Sequence, residues 1–138
     1  MPLFLLALLT LLRFFHPAAP APAEAIVGRW RTADKISVVQ IASRDGVFSG
    51  QVVGPLTPVR LDARNPDPAQ RHRPLLGITL LQGFRYADGA WTNGTIYDPN
   101  NGKTYACILR LKATNALEVR GYVGLSLFGR TETWTRQP

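Results

Sequence analysis

From Ile26 onward no stretch keeps apolar residues at a 3.6-residue period for three turns. What recurs is the short β-rich run bounded by Gly, Asp, Asn or Pro. The runs are Ile26–Thr32, Ile36–Ser43, Val47–Val53, Leu76–Gln82, a short Phe84–Tyr86, Trp91–Tyr97, Lys103–Leu111, Leu117–Val123 and Gly129–Arg136. Asp45-Gly46 stands between two of them, and Asp-Gly between apolar-rich runs is a strong hairpin signal. Alternation is explicit in places: Leu117, Val119, Gly121 and Val123 point one way, and Glu118, Arg120 and Tyr122 the other. The pattern predicts an all-β fold of eight or nine antiparallel strands joined mostly by hairpins. Such a meander buries its apolar face most simply by closing into an up-and-down barrel, which also removes exposed edges; a two-sheet sandwich is the alternative.

A different composition precedes the strands. Pro2–Leu12 is an apolar run, followed by Arg13, a Pro/Ala-rich stretch and Ala23-Glu24-Ala25. A short apolar core followed by small residues at the −3 and −1 positions predicts a secretory signal peptide over residues 1–25, cut after Ala25 or Ala23. The run is well short of the ~20 residues a spanning helix needs, so no transmembrane segment is expected once it is removed. The barrel domain is then residues 26–138, in the periplasm or secreted. Cys107, the only cysteine, leaves an exported chain without an internal disulfide, and its strand setting predicts a buried small hydrophobe.

The net charge is +7. The arginines are scattered, with no dense basic run or binding motif, and export separates the chain from nucleic acid. Anionic lipid, lipopolysaccharide or cell-wall polymers would suit the same charge, but the preferred reading is that arginine dominates the basic composition and keeps the surface soluble.

One connection breaks the hairpin rhythm. Residues 55–74 are too long and too proline-rich for a tight turn, and a loop of that length in a compact domain is usually functional or a cap. Asn65 precedes a proline and is biased to be extended, and Asp67 is placed to start a turn. Arg71 and Arg73, read as extended, share a side opposite His72. With Asp62 or Asp67 in reach they form either a clamp for an acidic group or a set of internal pairs pinning the loop. Asp62, Asn65, Asp67, Arg71, Arg73, Tyr97 and Tyr105 are the candidate ligand-binding residues. Tyr122, Phe84, Leu80 and Leu109 are further candidates to line the barrel.

The chain offers little for catalysis. His72 is the only histidine after residue 25, and no Gly-x-Ser-x-Gly elbow accompanies it. One His and one Cys do not make a structural zinc site. Asp98-Pro99-Asn100-Asn101-Gly102 lacks the distal Glu of a calcium loop and fits a turn better. The expectation is a non-enzymatic protein with no metal and no cofactor.

Two resemblances add to this. Gly28-x-Trp30 on the first strand, with Trp134-Thr135-Arg136 on the last, resembles the lipocalin-type (calycin) arrangement, in which an indole plugs the closed end and an arginine lies across it. Gly28, Trp30, Trp134 and Arg136 are therefore assigned to barrel closure. A longer string covers the region from Gly28 on: Asp62-x-x-Asn65-Pro66-Asp67, Arg71-x-Arg73-Pro74-Leu75-Leu76-Gly77, Trp91-x-Asn93-Gly94-x-Ile96-Tyr97-Asp98-Pro99, Asn101-Gly102-Lys103-Thr104-Tyr105, Val119-Arg120-Gly121-Tyr122 and Gly129-Arg130-Thr131-x-Thr133-Trp134-Thr135-Arg136. It resembles the bacterial exported family known as domain of unknown function 2147. The resemblance implies export and a lipocalin-like barrel and assigns no chemistry to particular residues. One departure is Asn93, where a Gly-Gly pair is expected. The functional expectation is a monomer or weak dimer holding a small apolar or acidic amphipathic ligand. The alternative is a filled barrel serving as a structural or interaction module for an envelope protein.

Overall fold

The computed structural model describes residues 21–55, 58–125 and 127–138. Residues 1–20, which carry most of the expected signal peptide, lie outside them. Eight antiparallel strands close into a barrel in chain order. They are β1 (Gly28–Arg31), β2 (Val38–Arg44), β3 (Val47–Gly54), β4 (Thr79–Ala87), β5 (Ala90–Asp98), β6 (Lys103–Ala113), β7 (Ala116–Tyr122) and β8 (Gly129–Gln137). Closure is made by β8 on β1, where Trp30 pairs with Arg136. The sandwich alternative is therefore excluded.

Turn chemistry sets the register. Asp45-Gly46 and Asp88-Gly89 both have two successive positive φ angles, 53° and 77° in the first and 50° and 81° in the second. That is the type I′ geometry whose twist matches the flanking strands. The short Phe84–Tyr86 run is not a ninth strand. It continues the strand that begins at Thr79, because Gly83 takes φ +77° and lets the chain bend without breaking. Asn93 takes φ +62° on β5, a left-handed position that asparagine tolerates better than most residues, which accounts for the departure from glycine.

Connections in an up-and-down barrel alternate between its ends, and the two ends of this one differ. The end holding the 45–46, 88–89 and 114–115 turns is closed. Trp30, Trp91, Phe48, Phe84, Ile41, Leu109 and Leu117 are all fully or almost fully buried there and in the waist of the barrel. Gly94 makes room for this packing: a Cβ on it would lie 2.4 Å from the Phe84 ring. Arg136 seals the floor. Its guanidinium stands 4.3 Å from the Trp30 ring centroid and donates to the carbonyls of Thr114, Val27 and Ala25 at 2.8, 3.2 and 2.7 Å. The stretch just before β1 belongs to the same floor. A 3-10 turn over Ala23–Ile26 buries Ile26 completely. Trp30 donates to the Ile26 carbonyl at 2.9 Å and Trp91 to that of Ala23 at 3.0 Å, and Tyr86 donates to that of Ala21. No helix among the described residues is long and apolar enough to cross a membrane.

Candidate functional site

The opposite end is open. It is formed by the β1–β2 connection, the long β3–β4 connection, the β5–β6 turn and the β7–β8 connection. Between them lies a cavity of about 1200 Å³. Val52, Leu75, Ile78, Leu80, Ile96, Val119 and Trp134 supply its apolar wall, and Arg60, Tyr97, Tyr105 and Tyr122 add polar groups. Alternation turns Val52 on β3, Ile96 on β5 and Val119 on β7 toward the cavity, whereas Leu80 reaches it at a register shift between β3 and β4, where Leu80 and Leu81 are both buried. Leu75 and Ile78 come from the long connection, which dips into the barrel, with Gly77 N–H bonded to the Val52 carbonyl at 2.7 Å.

That connection is held by one buried carboxylate. Asp62 has no exposed surface. Its Oδ1 accepts from the Tyr97 hydroxyl at 2.5 Å, and its Oδ2 from Asn65 Nδ2 at 2.8 Å and Arg73 Nε at 2.9 Å. Burial alone would raise the Asp62 pKa, but the hydrogen bonds from Tyr97, Asn65 and Arg73 outweigh it and hold the carboxyl below its usual range. Tyr97 responds in the opposite sense: burial, then the adjacent carboxylate, pushes its hydroxyl up to about 12. Neighbouring bonds complete the fold of the loop. Asp67 caps the 3-10 turn Pro68–Gln70 by accepting from Ala69 N–H at 3.0 Å, the turn start expected from Asn65-Pro66-Asp67. Arg71 Nε donates to the Asn65 carbonyl at 2.8 Å. The Arg71–Arg73 stretch is not extended, since Arg71 is in the right-handed helical region where the 3-10 turn runs into it; both arginines nonetheless bond into the Asp62–Asn65 segment, the internal pairing that is the alternative to a ligand clamp.

Of the candidate binding residues, Tyr97 and Tyr105 line the cavity. Asp62, Asn65, Asp67, Arg71 and Arg73 bond chiefly to one another, to Tyr97 and to the loop backbone. Asn65, Arg73 and Tyr97 also border a smaller polar groove of about 280 Å³ with Thr79, Gln82, Thr95 and Thr104. Phe84 and Leu109 are core, whereas Leu80 and Tyr122 are at the cavity. The lining arginines are Arg60 and Arg130, neither of them among the expected binding residues; Arg60 donates to Asn100 Oδ1 at 3.1 Å across the mouth. Trp134, expected at the closed end with Arg136, forms part of the cavity wall, and Trp30 alone meets the arginine.

The β5–β6 turn is built against the same loop. Gly102 takes φ +73°, and a Cβ on it would lie 1.9 Å from the Arg64 carbonyl oxygen, so only glycine permits this approach. Asp98 shapes the turn, accepting from Asn100 N–H at 2.8 Å.

Comparison with known proteins agrees with this architecture. The family model described as "Uncharacterized protein conserved in bacteria (DUF2147)" matches residues 28–136. Among solved structures, the barrel is similar to one described as "Protein HP1028 from the human pathogen Helicobacter pylori belongs to the lipocalin family". The TM-score is 0.73 at 22% identity, over 81% of this chain and 82% of that one. At that identity the likeness concerns the fold. A comparison with curated proteins found no match.

Proposed function

This chain belongs to the bacterial family DUF2147 and folds as a lipocalin-like barrel, and from that footing we propose that it binds a small apolar or amphipathic molecule in the open half of the barrel. The observation that carries the reading is the cavity itself: about 1200 Å³, with an aliphatic and indole wall, and with tyrosines, two arginines (Arg60 and Arg130) and the carboxylates Asp34, Asp98 and Glu132 also lining it. A concave space that sets an apolar wall against convergent polar groups suits an amphipathic ligand, the apolar part held by the wall and the head group by the polar side chains. Arg60 and Arg130 are the residues placed to meet an acidic head group. The Asp62 cluster then acts as scaffold, holding Leu75 and Ile78 in the wall. In this reading the protein catalyses no reaction and works outside the cytoplasm, in keeping with the apolar run and Ala-x-Ala sequence at its start.

Displacement of a fluorescent fatty acid, paired with native mass spectrometry of protein purified from a bacterial periplasm, tests the proposal. Saturable one-to-one displacement, with Arg60→Ala weakening carboxylate ligands more than their alcohols, is the expected result. No displacement by any long-chain amphiphile and no co-purified ligand would overturn it.

A further inference from the structure

Large apolar side chains on the surface are not spread evenly. The β7–β8 connection exposes four: Val123 (69%), Leu125 (68%), Leu127 (77%) and Phe128 (68%). The β3–β4 connection, at the same end of the barrel, exposes Val59, Leu61 and Leu76, and the β1–β2 connection, next to β7–β8 in the ring, exposes Ile36. All of these belong to loops at the open end, and Val53 lies at the same end of β3. Val27 is the one large exposed hydrophobe at the closed end among the described residues. A barrel gains nothing in stability from collecting such residues around one mouth, and large exposed apolar groups gathered at one end mark an interaction surface.

The polar residues in these loops select the partner. Between residues 32–37, 55–78, 98–103 and 123–130 there are seven Lys and Arg against four Asp and no Glu, within a chain of net charge +7. Lys35, Arg64, Arg71, Lys103 and Arg130 are exposed. Apolar side chains on projecting loops, ringed by long cationic ones, fit the interface of an anionic bilayer. The aliphatic groups enter the acyl boundary and the lysines and arginines remain at headgroup level. A second copy of the chain fits less well, because mouth-to-mouth packing would bring two surfaces of the same positive sign together.

We infer that the open end of the barrel docks on anionic lipid surfaces through Val59, Leu125 and their neighbours, placing the cavity mouth against the membrane. Docking goes beyond ligand binding and does not require it; where both hold, an amphipathic ligand can pass between bilayer and cavity without crossing water.

Flotation with vesicles of equimolar phosphatidylglycerol and phosphatidylcholine, set against phosphatidylcholine alone, tests this. Binding should require the anionic lipid and weaken as salt is raised, since the cationic contribution is screened. The Val59→Ser/Leu125→Ser variant removes two exposed groups that do not line the cavity, and should bind vesicles about tenfold more weakly while its thermal melt is unchanged. Leu80→Trp, which obstructs the cavity, should leave vesicle binding intact, so failure of the cavity reading and failure of docking give different patterns. Equal binding to both vesicle types, or a double variant that floats like the parent, overturns the inference. So does concentration-dependent self-association lost in the double variant, which would assign the patch to a second copy.

Discussion

The Tyr97 hydroxyl and the buried Asp62 carboxylate are 2.5 Å apart, and through that bond β5 holds the longest connection of the barrel in place. With Asn65 and Arg73 on the other oxygen, three donors converge on one carboxylate. Asp62→Ala leaves the Asn65 and Tyr97 donors without their partner, and unmet buried donors cost about 1–3 kcal/mol each. The expected loss is about 3 kcal/mol in urea unfolding. Tyr97→Phe removes one bond to a charged acceptor and should cost about 2 kcal/mol. Because the two residues share an interaction, the double variant should lose less than the sum. Strict additivity in that cycle would show that the bond contributes nothing.

The same cluster fixes how stability responds to pH. Asp62 is held below the usual carboxylate range in the folded protein. Its contribution is therefore present above the unfolded-state value of about 4 and is lost as pH falls through the lower folded value. Tyr97 and Cys107 are both raised to about 12. Groups raised in this way stabilise the fold below their unfolded values and lose that contribution as pH climbs toward 12. Stability should fall below pH ~4 and again above pH ~9. Asp62→Asn should flatten the acid limb and also soften the alkaline one, because the Asp62 carboxylate helps raise Tyr97, and Tyr97→Phe should reduce the alkaline limb. Melting curves across pH check both slopes.

The barrel was legible because the signals that specify it are local: period-two alternation, the Asp45-Gly46 turn and the glycine at residue 28 act over a few residues. Two features were not. Trp134 and Arg136 look like one unit in sequence, yet Trp134 lines the cavity while Arg136 lies over Trp30, because the interior is divided between a packed floor and an open half. The arginines of the long loop drew attention by their density. The one that reaches the cavity, Arg60, stands outside that cluster and carries no local signal, because the loop's path is set by the tertiary bonds of Asp62.

Arg136 ties β8 to two other segments of the floor, stacking on Trp30 and bonding the Ala25 and Val27 carbonyls at the start of β1 and the Thr114 carbonyl of the β6–β7 turn. Arg136→Lys keeps the charge but loses the planar fork that reaches three acceptors, so it should be nearly as damaging as Arg136→Ala. A loss of about 2 kcal/mol, or about 10 °C in Tm, is expected for either. The same contacts separate the two forms of the chain that processing after Ala23 or Ala25 would leave. Protein starting at Glu24 retains the Ala25 carbonyl for Arg136 and the Glu24 carboxylate for Ser43, at 2.8–2.9 Å, whereas protein starting at Ile26 has neither. The longer form should melt several degrees higher by calorimetry, and identical melts would show that these contacts carry no weight.

Cys107 has no exposed surface, and burial pushes its thiol up to about 12. A thiol of that kind offers almost no thiolate at pH 7–8 and no path to a reagent. Maleimide should leave the native protein unmodified for hours and label it fully in urea. Rapid labelling without denaturant would mean that β6 opens locally.

Filling the cavity is the most direct way to separate a binding protein from a packed scaffold. Leu80 is nearly buried at the cavity wall, where the neighbouring volume is empty, whereas Gly94 is packed against Phe84. Leu80→Trp therefore adds its extra atoms to open space and should change Tm by only a few degrees. Gly94→Ala forces a Cβ into a ring and should cost about 1–3 kcal/mol. The two substitutions should have opposite consequences for function. Leu80→Trp should abolish displacement of the fluorescent fatty acid from a stable protein, and Gly94→Ala should preserve affinity in a less stable one. If both variants bound the probe like the parent, the probe would be held outside the barrel, and the cavity would have to be given up as the site.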